Sequence, residues 1–133
     1  MIFVDTSAVV AILASEPEAG DFAAKLATAK QPISAGHVIL EASMRLSTLL
    51  GLEPTVADRL VTRMLREARI AVVPINEEIA HLAVAAFERY GKGRGHEARL
   101  NFGDCLSYAC AQSHGAALLF KGNDFAATDI ARA

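Results

Sequence analysis

A chain of 133 residues and 14.1 kDa has the size of one ordinary domain, long enough to bury a core without disulfide or metal staples. With 53% hydrophobic and 21% charged residues it is not a disordered chain, and a formal net charge of −2 provides no global field that would draw in nucleic acid. No apolar run reaches the length of about 18 residues that a membrane span needs, and Met1-Ile2-Phe3-Val4 meets Asp5 before a signal-peptide core can form, so a cytoplasmic protein is expected.

Ile2 to Val4 form a short apolar run ended by Asp5, and Asp5-Thr6-Ser7 offers capping side chains to the apolar segment Ala8 to Leu13, which predicts strand, turn and helix. After Pro17, the spacing of Phe22, Ala23 and Leu26 predicts a second helix that Gln31-Pro32 stops. Pro32-Ile33-Ser34 is a brief extended piece. Val38, Ala42, Leu46, Leu49 and Leu50 then recur at helical spacing as far as Gly51, on a helix that carries Glu41.

Pro54 opens a further helix with Val56, Leu60, Val61, Met64 and Leu65 on one face and Arg59, Arg63 and Arg66 on a solvated one. The β-branched stretch Ile70 to Ile75 predicts a strand, and Ile79 to Tyr90 a helix. Gly91, Gly93 and Gly95 interrupt regular structure within a basic stretch that holds Arg89, Lys92, Arg94, His96 and Arg99. A last helix is expected from Phe102 to His114, and a fully apolar strand from Ala117 to Phe120. Cys105 and Cys110 stand five apart on that helix and so on different faces, which reads as two unpaired buried thiols in a reducing compartment.

Short apolar strands alternating with helices argue for an α/β domain, residues 1–133, with a small parallel sheet covered by helices on both faces and little sheet left open to water. A mean hydropathy of +0.30 is high for so small a chain, and part of its apolar surface is expected to be covered by a partner, a second copy at the least.

Three acids occupy comparable places. Asp5 follows the first strand, Asp104 opens the helix after Phe102-Gly103, and Asp124 follows the last strand by a short turn. In an open α/β sheet the carboxyl edge of the strands is where ligands bind, so acids far apart in the chain can converge there. Each also has an ordinary explanation: Asp5 and Asp104 as helix caps contributing about 1 kcal/mol apiece, Asn101 with Asp104 as a capping box, and Asp124 beside Asn123 as a turn. Glu41 stands four residues from both His37 and Arg45, which alone describes a solvated stripe with an ion pair.

Four segments taken together resemble PIN-domain ribonucleases, most nearly the VapC-type toxins of bacterial toxin–antitoxin pairs: Met1-Ile2-Phe3-Val4-Asp5-Thr6-Ser7-Ala8, Ile39-Leu40-Glu41-Ala42, Leu100-Asn101-Phe102-Gly103-Asp104-Cys105 and Leu118-Leu119-Phe120-Lys121-Gly122-Asn123-Asp124-Phe125. The resemblance spans nearly the whole chain in the right order. It implies a three-layer α/β/α fold on a mainly parallel sheet of about five strands. It also implies that Asp5, Glu41, Asp104 and Asp124 form an acidic pocket for Mg²⁺ or Mn²⁺ that hydrolyses RNA, with a small cognate antitoxin as partner and homodimerisation.

Two unit charges about 4 Å apart at an effective dielectric near 20 repel by roughly 4 kcal/mol, so such a pocket needs a cation or shared protons. Oxygen ligands without His or Cys suit Mg²⁺ or Mn²⁺ rather than zinc. Asp5 and Asp104 are expected as the principal ligands, with Glu41 and Asp124 completing the shell. Thr6 or Ser7 would hold a carboxylate or a phosphate, or simply cap the helix. Asn123 would lend a neutral oxygen where one common form of the last motif has a second acid, which favours one metal ion over two. Arg94 and Arg99 are candidate contacts to the RNA backbone.

Two other readings stay open: a PIN-like domain that binds RNA or protein without cutting, and a phosphate-receiving signalling domain using Asp5 and Lys121. The second leaves Glu41 and Asp104 without a purpose. A haloacid-dehalogenase-type phosphatase would want an acid where Ser7 stands.

Overall fold

Apolar runs too short to be helices form four strands, and the longer periodic segments form six helices. The computed structural model describes residues 1–133. In chain order the elements are β1 (Ile2–Val4), α1 (Thr6–Leu13), α2 (Ala19–Thr28), β2 (Pro32–Ala35), α3 (Gly36–Leu50), α4 (Pro54–Glu67), β3 (Ala71–Val73), α5 (Glu77–Tyr90), α6 (Phe102–Ser113) and β4 (Ala117–Leu119). Local chemistry sets several boundaries. Pro54 takes the first position of α4, where its missing N–H costs nothing, and Gly51 ends α3 with a left-handed φ of 64°. Asn101 and Asp104 close a reciprocal capping box on α6.

The sheet is parallel throughout, in the order β3-β2-β1-β4. Phe3 lies opposite Ile33 on one side and Leu118 on the other. Parallel crossovers are right-handed, so stepping from β1 through β2 to β3 lays α1 to α4 on one face, and the return to β4 lays α5 and α6 on the other. This is the expected three-layer α/β/α arrangement. The core between the layers is one contiguous cluster of 34 buried residues, with Phe3, Val4, Leu118 and Leu119 of the central strands essentially without exposure. Cys105 and Cys110 are buried within it and unpaired, and burial pushes both thiols up to about 11, which leaves them as inert small hydrophobes.

Two expectations need correction. Four strands form rather than about five, because the segment beyond β4 meets it at a single bridge, Leu118 with Arg132, too short for a ladder. The sheet is also less covered than its apolar strands suggest. β3 is shorter than the Ile70–Ile75 stretch, and as an edge strand it leaves Ala71 and Val72 exposed.

Reversal of strand order occurs between β1 and β4. In doubly wound sheets that switch point opens a crevice outside the carboxyl ends of the strands. Asp5 closes β1 there. Because α6 runs antiparallel to β4, its first turn returns to the same edge, and the turn-rich segment after β4 departs from it.

Candidate active site

Asp5 is 4% exposed and serves as cap and site residue at once. Its Oδ2 accepts from the Ser7 amide at 3.1 Å and from Ser7 Oγ at 2.7 Å. Ser7 Oγ in turn accepts from the Lys121 amide at 3.0 Å, which ties the turn after β4 to the residue that ends β1. Thr6 Oγ1 donates to Glu41 Oε1 at 2.8 Å, joining the first turn of α1 to the middle of α3. Asp104 Oδ2 accepts from the Asn101 amide at 3.0 Å. Each of the three carboxylates is therefore pinned through one oxygen, while Asp5 Oδ1, Glu41 Oε2 and Asp104 Oδ1 take no hydrogen bond.

The electrostatics mark the three as neighbours. Burial pushes the Asp104 carboxyl up to about 7, the charges of Asp5, Asp124 and Glu41 add to the rise, and the Asn101 amide opposes it. Glu41 is raised as well, first by burial and then by Asp5, against the Thr6 hydroxyl and Arg45. None of the four acids takes part in an ion pair. As the side chains stand, no three of them close around a single point where one ion would sit.

Asp124 lies on the exposed rim, near enough to act on Asp104 through its charge. Asn123 beside it is exposed and its side chain makes no hydrogen bond. Arg94 and Arg99 are exposed on the segment between α5 and α6, which is closed at its base: Leu100 N donates to Tyr90 O at 2.9 Å and Lys92 N to Leu100 O at 2.9 Å. The solvated-stripe reading of Glu41 fails, because Glu41 turns inward to Thr6. It also fails for His37, whose Nε2 pairs with Ser107 Oγ at 2.8 Å while its ring stacks on Phe3. Lys121 is held by Glu16 and Glu18 at 3.3 and 3.2 Å, which removes the free lysine a phosphate-receiving site would need.

One site residue escaped the sequence reading. A Cβ at Gly103 would lie 2.2 Å from Glu41 Oε2 and 2.5 Å from both Oε1 and Cδ. Only glycine lets the Glu41 carboxylate seat against the first turn of α6, and the Gly-Asp pair was the available signal.

Comparison with known proteins shows the family and agrees with the fold. Residues 2–131 match the family model described as PIN domain. The chain is 42% identical over 132 residues to ribonuclease VapC28 of Mycobacterium tuberculosis, covering 99% of this chain and 97% of that protein. It is 41% identical over 128 residues to ribonuclease VapC of Mycolicibacterium smegmatis, covering 96% of each. Among solved structures, Mycobacterium tuberculosis VapC20, described as a sarcin-ricin loop cleaving toxin, superposes with a TM-score of 0.78 at 20% identity over 100% of this chain and 98% of that one. A toxin–antitoxin complex from Klebsiella pneumoniae gives 0.69 at 21% identity, covering 97% of this chain and 93% of that one. At such identities these two speak for the fold alone.

Proposed function

The chain belongs to the PIN-domain family, and on that premise we propose that it is a metal-dependent endoribonuclease that hydrolyses RNA phosphodiester bonds as the toxin of a toxin–antitoxin pair. The observation that supports the reading is that Asp5, Glu41 and Asp104, from three separate elements at the sheet's switch point, lie near enough to act on one another through charge, each with one oxygen uncommitted. Carboxylate burial without countercharge is costly for a stable fold, so its retention at a ligand-binding edge points to function.

The donor set fits a hard divalent cation. It consists of carboxylate oxygens alone, whose mutual repulsion a cation would relieve, and Mg²⁺ is the natural occupant with Mn²⁺ as substitute. Asp5 and Asp104 would hold it, with Glu41 and the rim acid Asp124 completing the shell. Bound there, the metal would supply charge neutralisation for the phosphate and lower the pKa of a coordinated water.

The chain's own residues set the geometry. Ser7 orients Asp5, Thr6 orients Glu41, and the Asn101 amide orients Asp104, so each carboxylate presents a defined lone oxygen. Glu41 or Asp124, which complete the shell, would take the proton of the attacking water. Lys92, Arg94 and Arg99 would supply local positive charge for the RNA backbone. The proposal extends to an antitoxin encoded alongside that blocks this edge, to a homodimer, and to action in the cytoplasm. No helix is long and apolar enough to cross a membrane.

The test is cleavage of total cellular RNA by the wild type and by Asp5→Asn, each with Mg²⁺ or with EDTA. Cleavage is expected only from the wild type with Mg²⁺. Equal cutting by both proteins, or cutting that survives the chelator, would end the proposal. Induction of the gene without its neighbour tests the toxin role, with growth arrest expected that Asp104→Asn abolishes.

A further inference from the structure

The most exposed large hydrophobic residue of the chain stands two residues before Asp104. Phe102, at the first position of α6, is 84% exposed, although burying a phenylalanine ring is among the larger favourable contributions open to a side chain. It is not isolated. With Ala80, Val84, Phe87, Cys105 and Leu106 it lines an apolar groove of about 390 Å³ between α5 and α6, in which Val84 is 63% and Phe87 46% exposed. No polar side chain lines this groove.

Its rim is cationic. The Arg94 guanidinium lies 6.0 Å from the centre of the Phe87 ring. Phe87 itself packs so tightly on Gly91 that a Cβ there would stand 2.3 Å from its ring, which seats the base of the basic loop directly on the groove. That loop exposes Lys92, Arg94 and Arg99 against Glu97 alone. An aromatic floor with cations at one end matches a nucleobase and its phosphate. A symmetric contact between two copies would instead double the positive charge gathered at the contact.

We propose that this groove is a nucleobase subsite, in which a base of the single-stranded RNA stacks on Phe102 while the adjoining phosphate meets Arg94. Phe102 and Asp104 lie on different sides of the first turn of α6. A strand with its scissile phosphate at the acids therefore passes over that turn and places in the groove a base about one or two nucleotides away. The subsite rests on the ribonuclease reading and deepens it: binding by stacking tolerates any base and selects for an unpaired strand.

Because the chain contains no tryptophan, Phe102→Trp creates a single reporter at the site. The probes are a ten-nucleotide oligouridylate and an abasic strand of the same length, both in EDTA so that neither is cut. Quenching of the reporter by the oligouridylate and not by the abasic strand is expected. Phe102→Ala, checked for folding by circular dichroism, should bind a labelled oligouridylate about ten-fold more weakly than the wild type. Equal responses to both strands, no quenching, or undiminished binding by Phe102→Ala would overturn the subsite. So would an emission that shifts to the blue as protein concentration rises, since a second copy would then cover Phe102. Wild-type cleavage with Mg²⁺, run alongside, separates the two readings: cutting without quenching removes the subsite alone, whereas no cutting removes the nuclease whatever the reporter does.

Discussion

Two acidic neighbourhoods of this chain have opposite electrostatic characters. At the end of α5 and α6, Asp129 accepts a hydrogen bond from the Tyr108 hydroxyl and pairs with Arg89 at 3.2 Å, while its amide donates to Tyr90 Oη at 3.2 Å. The Tyr108 bond first, then Tyr90 and Arg89, hold its carboxyl below the ordinary range. At the carboxyl edge of the sheet, burial first and then the charges of neighbouring carboxylates push Asp104 up to about 7. The first acid is satisfied by its surroundings and fastens the carboxy-terminal segment to the helices. The second is left in deficit by its surroundings, and a deficit of negative-charge compensation at a binding edge is what a cation would relieve.

The sharpest way to break this contrast is to neutralise an acid on each side. Asp5→Asn is expected to lower RNA cleavage roughly a thousand-fold, the several kcal/mol a metal contributes to the transition state, with the fold intact by circular dichroism. Gly103→Ala should act through Glu41, since the new methyl would overlap its carboxylate, and displacement of about 1 Å costs on the order of a hundred-fold in rate. Combining it with Glu41→Asp, whose shorter side chain makes room, should restore part of that loss. Failure of the double variant to exceed Gly103→Ala would show that the glycine serves the helix and not the acid.

A third test concerns stability and its sign with pH. The Asp104 carboxyl is raised from 3.8, so its contribution to folding is intact below that value and is lost as pH climbs through about 7. Asp104→Asn keeps an oxygen for the Asn101 amide and removes the charge. Without metal it should melt above the wild type at about pH 8, with the gap closing toward about pH 4, and Mg²⁺ should raise the melting temperature of the wild type only. The smallest effect is expected from Asp129→Asn. This site is half exposed, so the lost pairing should cost about 1 kcal/mol, a few degrees in Tm, and leave cleavage unchanged.

How much of this was legible in the sequence depended on whether the signal was local. The order of helices and strands followed from periodicity and from Pro54, Gly51 and the Asn101-Asp104 box. Asp5 and Asp104 could be placed because a residue that ends a strand or opens a helix has a known position in an α/β sheet. Glu41 could not. Its neighbours in sequence described a surface stripe, and only a contact 35 residues away, with Thr6, turned it inward. Gly103 was invisible for the same reason, its role being the absence of atoms where another element approaches. The exposed face of β3 was missed because strand composition does not say which strand lies at an edge.

Whether Asp5, Glu41 and Asp104 act as one cation site is decided by titration calorimetry with Mn²⁺ on the wild type, Asp5→Asn, Glu41→Gln and Asp104→Asn. One ion per wild-type chain is expected, with binding weakened in every variant and most in Asp5→Asn and Asp104→Asn. A wild type that takes up two tightly bound ions per chain, or an Asp5→Asn variant that binds as tightly as the wild type, would contradict the account.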